Sequence, residues 1–295
     1  MKPAAFDYAR PANLDQACAL LAASEDVRII AGGQTLVPLM AMRLARPKLL
    51  VDIARIAELS FVRDEGDAVA IGATTRQCVV ERNQIVRAKV PMLAKVMPFV
   101  GHAASRARGT VGGSLANADP AAEIALVAVT LGATLTYREG RAATDIAAAD
   151  FFTGPMMTAL PPAGCLTAVR FPVWGDQRIG VGFHEVSARR SDFAFVSAAA
   201  QIVLDNDGVC RRLALGIGGA TSLPLKLTTV GEALTGKRVS ATVARDAVNA
   251  ALADIEPLAD LHASADYRRR VATTLAVRAI ADACEAASAG STYAN

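Results

Sequence analysis

Ile30-Ala31-Gly32-Gly33-Gln34-Thr35-Leu36-Val37 and Thr110-Val111-Gly112-Gly113-Ser114 are the two stretches on which the reading of this chain turns. In each, an apolar or β-branched approach ends in two glycines, and an amide or hydroxyl side chain follows within two residues. Glycine has no Cβ, so its backbone N–H groups can close on a bulky anion and adopt φ > 0 without strain. Consecutive N–H groups in such turns form concave anion sites. A single glycine pair is usually a tight turn, and Gly218-Gly219 reads mainly as one. Two such turns imply a ligand with two adjacent phosphates, or a long ligand clamped from two sides. A dinucleotide such as FAD meets both descriptions.

The surroundings strengthen the second pair. Gly101 to Gly109 leads in and Leu115 to Glu123 leads out, both dense in small and polar residues between apolar helical runs. A backbone wrapped around a polar ligand needs that composition; a packing loop does not. The familiar nucleotide fingerprints are missing. The first pair lacks the third glycine of G-x-G-x-x-G, and no G-K-[ST] occurs anywhere. Two separated glycine turns therefore imply a cleft between two subdomains.

Composition narrows the function classes. The chain has 295 residues, 53% of them apolar and 20% charged, with a net charge of +3. It builds a sizeable core and has surface to bury against partner chains. No polybasic run with interleaved aromatics supports nucleic-acid binding. Arg268-Arg269-Arg270 reads as a solvated helix face. No membrane span is evident, because Phe151 to Val169 is broken by Pro155, Pro161 and Pro162. Residues Met1 to Asp7 lack the apolar core of a signal peptide, so a cytoplasmic location is expected. The five cysteines, Cys18, Cys78, Cys165, Cys210 and Cys284, are scattered. They read as reduced, buried thiols and give no framework for disulfides, zinc or iron–sulfur clusters. The three histidines, His102, His184 and His262, are too far apart in sequence to suggest a metal centre.

Along the chain, Asn13 predicts a capped helix through Leu21. Val27 to Ile30 reads as a buried strand entering the first glycine turn, Pro38 interrupts any early helix, and Leu49 to Ile53 is another strand. A hairpin is predicted around Glu65-Gly66-Asp67, with helices over Val79–Ala88 and Pro91–Ser105. Pro120 at N1 opens a helix through Leu131. A second hairpin turns at Glu139-Gly140, and Leu166 to Pro172 is a strand. After Gly175, three antiparallel strands are predicted (Ile179–Val186, Phe193–Asp205, Cys210–Ile217), with Asp205-Asn206-Asp207-Gly208 as a hairpin turn. Helices over Thr242–Ile255 and Asp266–Ala287 follow. The units are 1–55, 56–174 and 175–295, an α+β organisation.

The two glycine stretches together resemble the paired FAD signature of the FAD-binding medium subunits of molybdenum hydroxylases, a family that includes xanthine and carbon monoxide dehydrogenases. The resemblance extends over almost the whole chain: Phe6-Asp7-Tyr8-Ala9-Arg10-Pro11, Leu50-Val51-Asp52-Ile53, Ile71-Gly72-Ala73, Gly109 through Pro120, Asp150-Phe151-Phe152 and Ser191-Asp192-Phe193-Ala194. It implies a PCMH-type, vanillyl-alcohol-oxidase-like FAD-binding fold of two subdomains, then a CO-dehydrogenase-flavoprotein-type C-terminal domain with a three-stranded antiparallel sheet and helices. It also implies partners: a small subunit with two 2Fe–2S clusters and a large subunit with a molybdopterin-type molybdenum cofactor, together forming a dimer of heterotrimers.

On that resemblance, Ile30 to Val37 (Ala31, Gly32, Gly33, Gln34, Thr35 and Leu36 between them) run along the FAD diphosphate and ribityl chain. Thr110, Gly112, Gly113 and Ser114 approach from the second subdomain. Thr35 and Ser114 hydroxyls can donate to phosphate oxygens. Glu123 is an acidic FAD contact, Leu166 touches the isoalloxazine, and His184 stands where some members carry a lysine. Phe193 stands where related subunits often have a tyrosine near the flavin; plain core is its other reading. Asn117 and Asp119 either bond FAD hydroxyls or cap the helix beginning at Pro120. Arg106 and Arg108 either neutralise phosphate or partner charge or are solvated. His102 is either a flavin contact or structural. The implied function is an electron-transfer flavin subunit, with an N-heteroaromatic substrate oxidised in a partner. Alternatives are a carbon monoxide dehydrogenase medium subunit, a self-contained FAD oxidase or dehydrogenase, and a non-redox scaffold that has lost FAD.

Overall fold

A computed structural model describes residues 2–23 and 26–290. The first segment holds β1 (Asp7–Ala9), α1 (Leu14–Ala22), β2 (Val27–Ile30), α2 (Leu36–Ala41) and β3 (Leu49–Asp52). The Asn13 side chain accepts the Gln16 N–H at 3.0 Å and starts α1. Leu14, Ala17, Cys18 and Leu21 then form one buried stripe at helical spacing. The strands form a parallel sheet in the order β1–β3–β2. Two features differ from what the sequence predicts. β2 is half-buried, with Arg28 exposed. Pro38 lies inside α2, in the first turn, where a missing N–H leaves no intrahelical bond unmade.

The second segment contains β4 (Val62–Asp64), β5 (Ala68–Gly72), α3 (Gln77–Arg82), α4 (Gln84–Lys89), α5 (Pro91–Val96), α6 (Ala103–Arg106), α7 (Val111–Asn117) and α8 (Glu123–Leu131). It continues with β6 (Thr134–Glu139), β7 (Ala142–Ala147), α9 (Ala148–Phe151), β8 (Phe152–Gly154), β9 (Met157–Thr158) and β10 (Cys165–Pro172). Its antiparallel sheet runs β4–β5–β10–β6–β7, so β10 joins the two predicted hairpins. The two long helices predicted between residues 79 and 105 are broken into four. Asn83 ends α3 and caps α4 by accepting the Val86 N–H at 3.1 Å, and Pro91 opens α5. The helix predicted from Pro120 starts at Glu123 instead. Asp119 Oδ1 accepts the Ala121 N–H at 2.9 Å and holds 119–122 in a turn. All nine residues of α8 are buried, Glu123 and Thr130 included.

The third segment has β11 (Ile179–Ser187), β12 (Ala194–Leu204), β13 (Cys210–Gly218) and β14 (Leu225–Lys226). Helices α10 (Thr228–Leu234), α11 (Ala241–Leu252) and α12 (Ala265–Ser288) follow. The sheet is antiparallel in chain order. It has four strands, not three; β14 is two residues long and leaves no period in the sequence. Helix α10 is a further element outside the sequence reading. One sheet face packs on α11 and α12, burying Val196, Ala198, Ala200 and Ile202. The other face, with Val181, Phe183 and Ala199, joins the core of the second segment beside α8. Arg268 is not solvated. It is 4% exposed, and its guanidinium donates to the carbonyls of Phe195 and Gly219 and to Asp260. Cys18, Cys165 and Cys210 are buried, while Cys78 and Cys284 are half-buried; all are free thiols. Among the described residues no helix is long and apolar enough to cross a membrane.

Candidate cofactor site

The loop after β2 presents bare backbone. Gly33 has φ +70°, a left-handed conformation that turns the chain from strand to α2. Among the described residues, the N–H groups of Gly33, Gln34, Thr35 and Leu36 meet no intramolecular acceptor, while the carbonyls of Gly32 and Gly33 accept from Gln34 Nε2 and the Val37 N–H. Gln34 and Val37 are exposed; Ile30, Ala31, Gly32, Gly33, Thr35 and Leu36 are half-buried. Gly32 closes on the second stretch: a Cβ there would sit 2.7 Å from the Arg108 carbonyl oxygen, 2.8 Å from the Gly109 Cα and 3.2 Å from the Thr110 nitrogen. The two quoted stretches therefore meet backbone to backbone.

The second glycine pair is not a left-handed turn. It forms the first turn of α7 with Thr110 as N-cap. Its donors are already used. The Val111 and Gly112 N–H groups bond the carbonyls of Thr75 and Ala73, the Gly113 N–H bonds Thr110 Oγ1 at 3.0 Å, and the Ser114 N–H bonds the Thr110 carbonyl. Glycine serves packing here. A Cβ on Gly112 would lie 2.4 Å from the Ala73 Cβ, and one on Gly113 would lie 2.7 Å from Thr110 Oγ1. What α7 offers outward is the exposed backbone of Gly113 and the half-buried side chains of Ser114 and Asn117. Thr74 escaped the sequence reading. It lies between the two residues whose carbonyls hold α7, and its hydroxyl is buried without a partner. Its only sequence signal is its place immediately after Ile71-Gly72-Ala73.

The exit from α7 is strained: Ala118 (φ +51°) and its partner Met156 (φ +58°) are left-handed non-glycine residues, as is Ser191 (φ +68°) between β11 and β12. The Met156 N–H donates to the Ala118 carbonyl, and Asn117 Nδ2 reaches Met156 Sδ at 3.8 Å. Asp119 and Phe193 line a cavity of about 400 Å³ together with Pro120, Phe195, His262 and Arg268. Phe193 is 71% exposed, so the plain-core reading falls. Burial raises the Asp119 carboxyl above its ordinary range. Glu123, at the first turn of α8, is pushed up to about 8, mainly by burial and then by the nearby acids Glu185 and Asp119.

Other candidates lie elsewhere. His184 is on the α12 face of β11 and bonds Asp282 at 2.9 Å, on the opposite face of the sheet from Phe183 and Glu185. Its alternation with those residues in β11 was the signal that separates it from the set. Leu166 is buried at 5% in the core shared with Leu115. His102 is exposed at the start of α6 and makes no side-chain capping bond. Arg106 is structural: it is buried, pairs with Glu81 at 2.9 Å, and donates to the Gly101 carbonyl. Arg108 is exposed. Among the described residues no cluster of histidine, cysteine or acidic side chains is arranged to hold a metal ion.

Residues 4–174 match the model of the FAD binding domain in molybdopterin dehydrogenase, and residues 182–283 match the CO dehydrogenase flavoprotein C-terminal domain. Caffeine dehydrogenase subunit beta of Pseudomonas sp. (strain CBB1) is 36% identical over 97% of both chains. The carbon monoxide dehydrogenase medium chain of Afipia carboxidovorans is 34% identical over 95% of this chain and 97% of its own. The crystal structure of quinoline 2-oxidoreductase from Pseudomonas putida 86 superposes with a TM-score of 0.92 at 34% identity, covering 97% of this chain and 99% of that one. With its fold, its facing glycine stretches and these likenesses, the chain belongs to the FAD-binding medium subunits of the molybdenum hydroxylases, a family of oxidoreductase flavoproteins.

Proposed function

We propose that this chain is the electron-transfer flavin subunit of a heterotrimeric molybdenum hydroxylase. In this reading a small partner carries two 2Fe–2S clusters and a large partner carries the molybdopterin-type cofactor, assembled as a cytoplasmic dimer of heterotrimers. The observation that carries it is the loop after β2, whose N–H groups from Gly33 to Leu36 meet no intramolecular acceptor among the described residues and whose Gly32 touches the backbone of Gly109 and Thr110. Unpaired donors fit the oxygens of a diphosphate, since buried or ligand-facing N–H groups call for acceptors. The 33–36 N–H groups hold the diphosphate, and Thr35 and Ser114 donate hydroxyls to it. Asn117 and Asp119 meet sugar hydroxyls. Glu123, Leu166 and Phe193 lie toward the ring end; His102, facing solvent, serves at most its rim. Bound there, FAD supplies the chemistry of passing electrons from the clusters to an external acceptor. The units 1–55 and 56–174 act as its two jaws, and 175–295 closes the ring end.

An N-heteroaromatic substrate for the complex is supported by the likeness to caffeine and quinoline enzymes. The likeness to the carbon monoxide dehydrogenase medium chain supports a second reading, in which the partner oxidises carbon monoxide. Purification of the chain with its co-purifying partners separates these. A yellow three-subunit complex with iron–sulfur absorbance, reduced by an N-heteroaromatic compound, supports the first. Reduction by carbon monoxide alone supports the second. A colourless chain without partners sinks both.

A further inference from the structure

The crossing of the two glycine stretches offers hydrogen-bond donors but no charge. Residues 30–37 and 109–117 contain no lysine, arginine, histidine, aspartate or glutamate. The N–H groups of Gly33 to Leu36 carry only partial charge, whereas phosphate oxygens bind most strongly to donors that are themselves ionised. A cation for a diphosphate must therefore come from outside both stretches. Arg76 is in place to supply it. It is the N-cap of α3, and its backbone forms an isolated antiparallel bridge with Thr110. Its guanidinium Nη1 donates to the Arg108 carbonyl. That oxygen is the atom Gly32 comes up against, 2.7 Å from where a Cβ on Gly32 would be. Arg76 and the first glycine stretch thus stand at the same oxygen, and the guanidinium is one hydrogen bond from the crossing.

The next residue holds the same backbone from the core side. Gln77 is 7% exposed, and its N–H donates to the Gly109 carbonyl. Its Oε1 lies 2.5 Å from where a Cβ on Gly109 would be, so the inner side of this backbone is filled. Arg76 is half-buried and reaches the 108–110 backbone from the side left open to solvent. A ligand laid over the crossing lies on that side. Among the described residues Arg76 forms no ion pair. Arg106, by contrast, spends its charge on Glu81. A guanidinium anchored through one nitrogen keeps further N–H donors in a planar fork suited to phosphate oxygens.

We propose that Arg76 supplies the positive charge for the FAD diphosphate at the crossing of the two glycine stretches, beside the N–H groups of residues 33–36, and so makes the site prefer the dinucleotide to flavins that lack a diphosphate. The assignment rests on the flavin-binding reading. It gives the site two kinds of donor with separate origins: neutral backbone from the loop after β2, and one ionised side chain from the loop after β5.

The test uses the full flavin-free chain and its Arg76→Gln and Arg76→Lys variants. Glutamine keeps an N–H donor for the Arg108 carbonyl without the charge, and lysine keeps the charge without the fork. Binding of FAD and riboflavin is followed by flavin fluorescence. ADP, which carries the diphosphate without the ring, is titrated as a competitor of FAD. Arg76→Gln is expected to weaken FAD about 10- to 100-fold, the worth of a hydrogen bond to a charged group. ADP should weaken by a similar factor, riboflavin should be unaffected, and Arg76→Lys should recover part of the loss. Added salt should weaken FAD binding more steeply in the wild type than in Arg76→Gln. Unchanged FAD and ADP affinities in Arg76→Gln overturn the proposal. So does an equal loss for FAD and riboflavin with a lowered melting temperature, which would make Arg76 a brace of the 108–110 backbone. A wild-type chain that binds neither flavin overturns the cofactor reading itself, and the assignment of Arg76 with it.

Discussion

Gly32-Gly33 and Gly112-Gly113 are the same dipeptide doing different work. At the first, Gly33 is left-handed and the following N–H groups are unpaired. At the second, the conformation is helical, every donor is already bonded, and each missing Cβ makes room for Ala73 or Thr110. One pair leaves the backbone N–H groups beside it unpaired; the other lets α7 dock on the loop after β5. A glycine pair does not declare its purpose. The destination of its N–H groups does.

Substitution at each pair separates these roles. Gly112→Val has the largest expected effect, because its Cβ would overlap the Ala73 Cβ at 2.4 Å with backbone close behind. Overpacking of this kind costs about 3 kcal/mol or more, a fall of about 5–10 °C in melting temperature for a chain of this size. Scanning calorimetry of the flavin-free chain checks it, and an unchanged melting point would return the second pair to the role of an anion turn. Gly33→Val is expected to act mainly on the ligand. A β-branched residue at φ +70° is strained by about 1–2 kcal/mol, enough to reshape the loop without unfolding the chain. Flavin absorbance after gel filtration should be lost while circular dichroism is retained. The smallest effect is expected from Thr110→Val, which removes the α7 cap on the Gly113 N–H. Cap loss costs about 1 kcal/mol. Melting temperature should drop by a few degrees with flavin still bound, and complete flavin loss would show that the hydroxyl faces the cofactor.

The elements most legible in the sequence are those whose signals are local. Asn13 announced α1, and Gly66, Gly140 and Gly208 marked hairpin turns at which the chain does take positive φ. The parts that escaped depend on distant partners. Whether the Gly112 N–H is free depends on the carbonyl of Ala73, nearly forty residues earlier. Arg268 reads as a solvated residue in a basic triplet until Phe195 and Gly219 offer it carbonyls 73 and 49 residues away. The start of a helix at Pro91 is legible as a residue, whereas the break at Asn83 lies inside the apolar run from Val79 to Ala88, whose periodicity hides it. The candidate site divides in the same way: Gly32 to Leu36 and Ser114 stand out by type and spacing, while the buried, unpartnered Thr74 hydroxyl stands out only through what surrounds it.

Strand β10 has a temporal consequence. It is the last strand of its sheet to be synthesised and the central one in space, bonded to β5 on one side and β6 on the other. The core of the first segment also waits for it, since Cys165 packs there with Leu14 and Cys18. Until residue 172 has left the ribosome, two hairpins and a parallel sheet have apolar faces and no keystone. A chain paused or truncated before that point is an aggregation-prone intermediate, while a few residues more allow both nascent units to close at once.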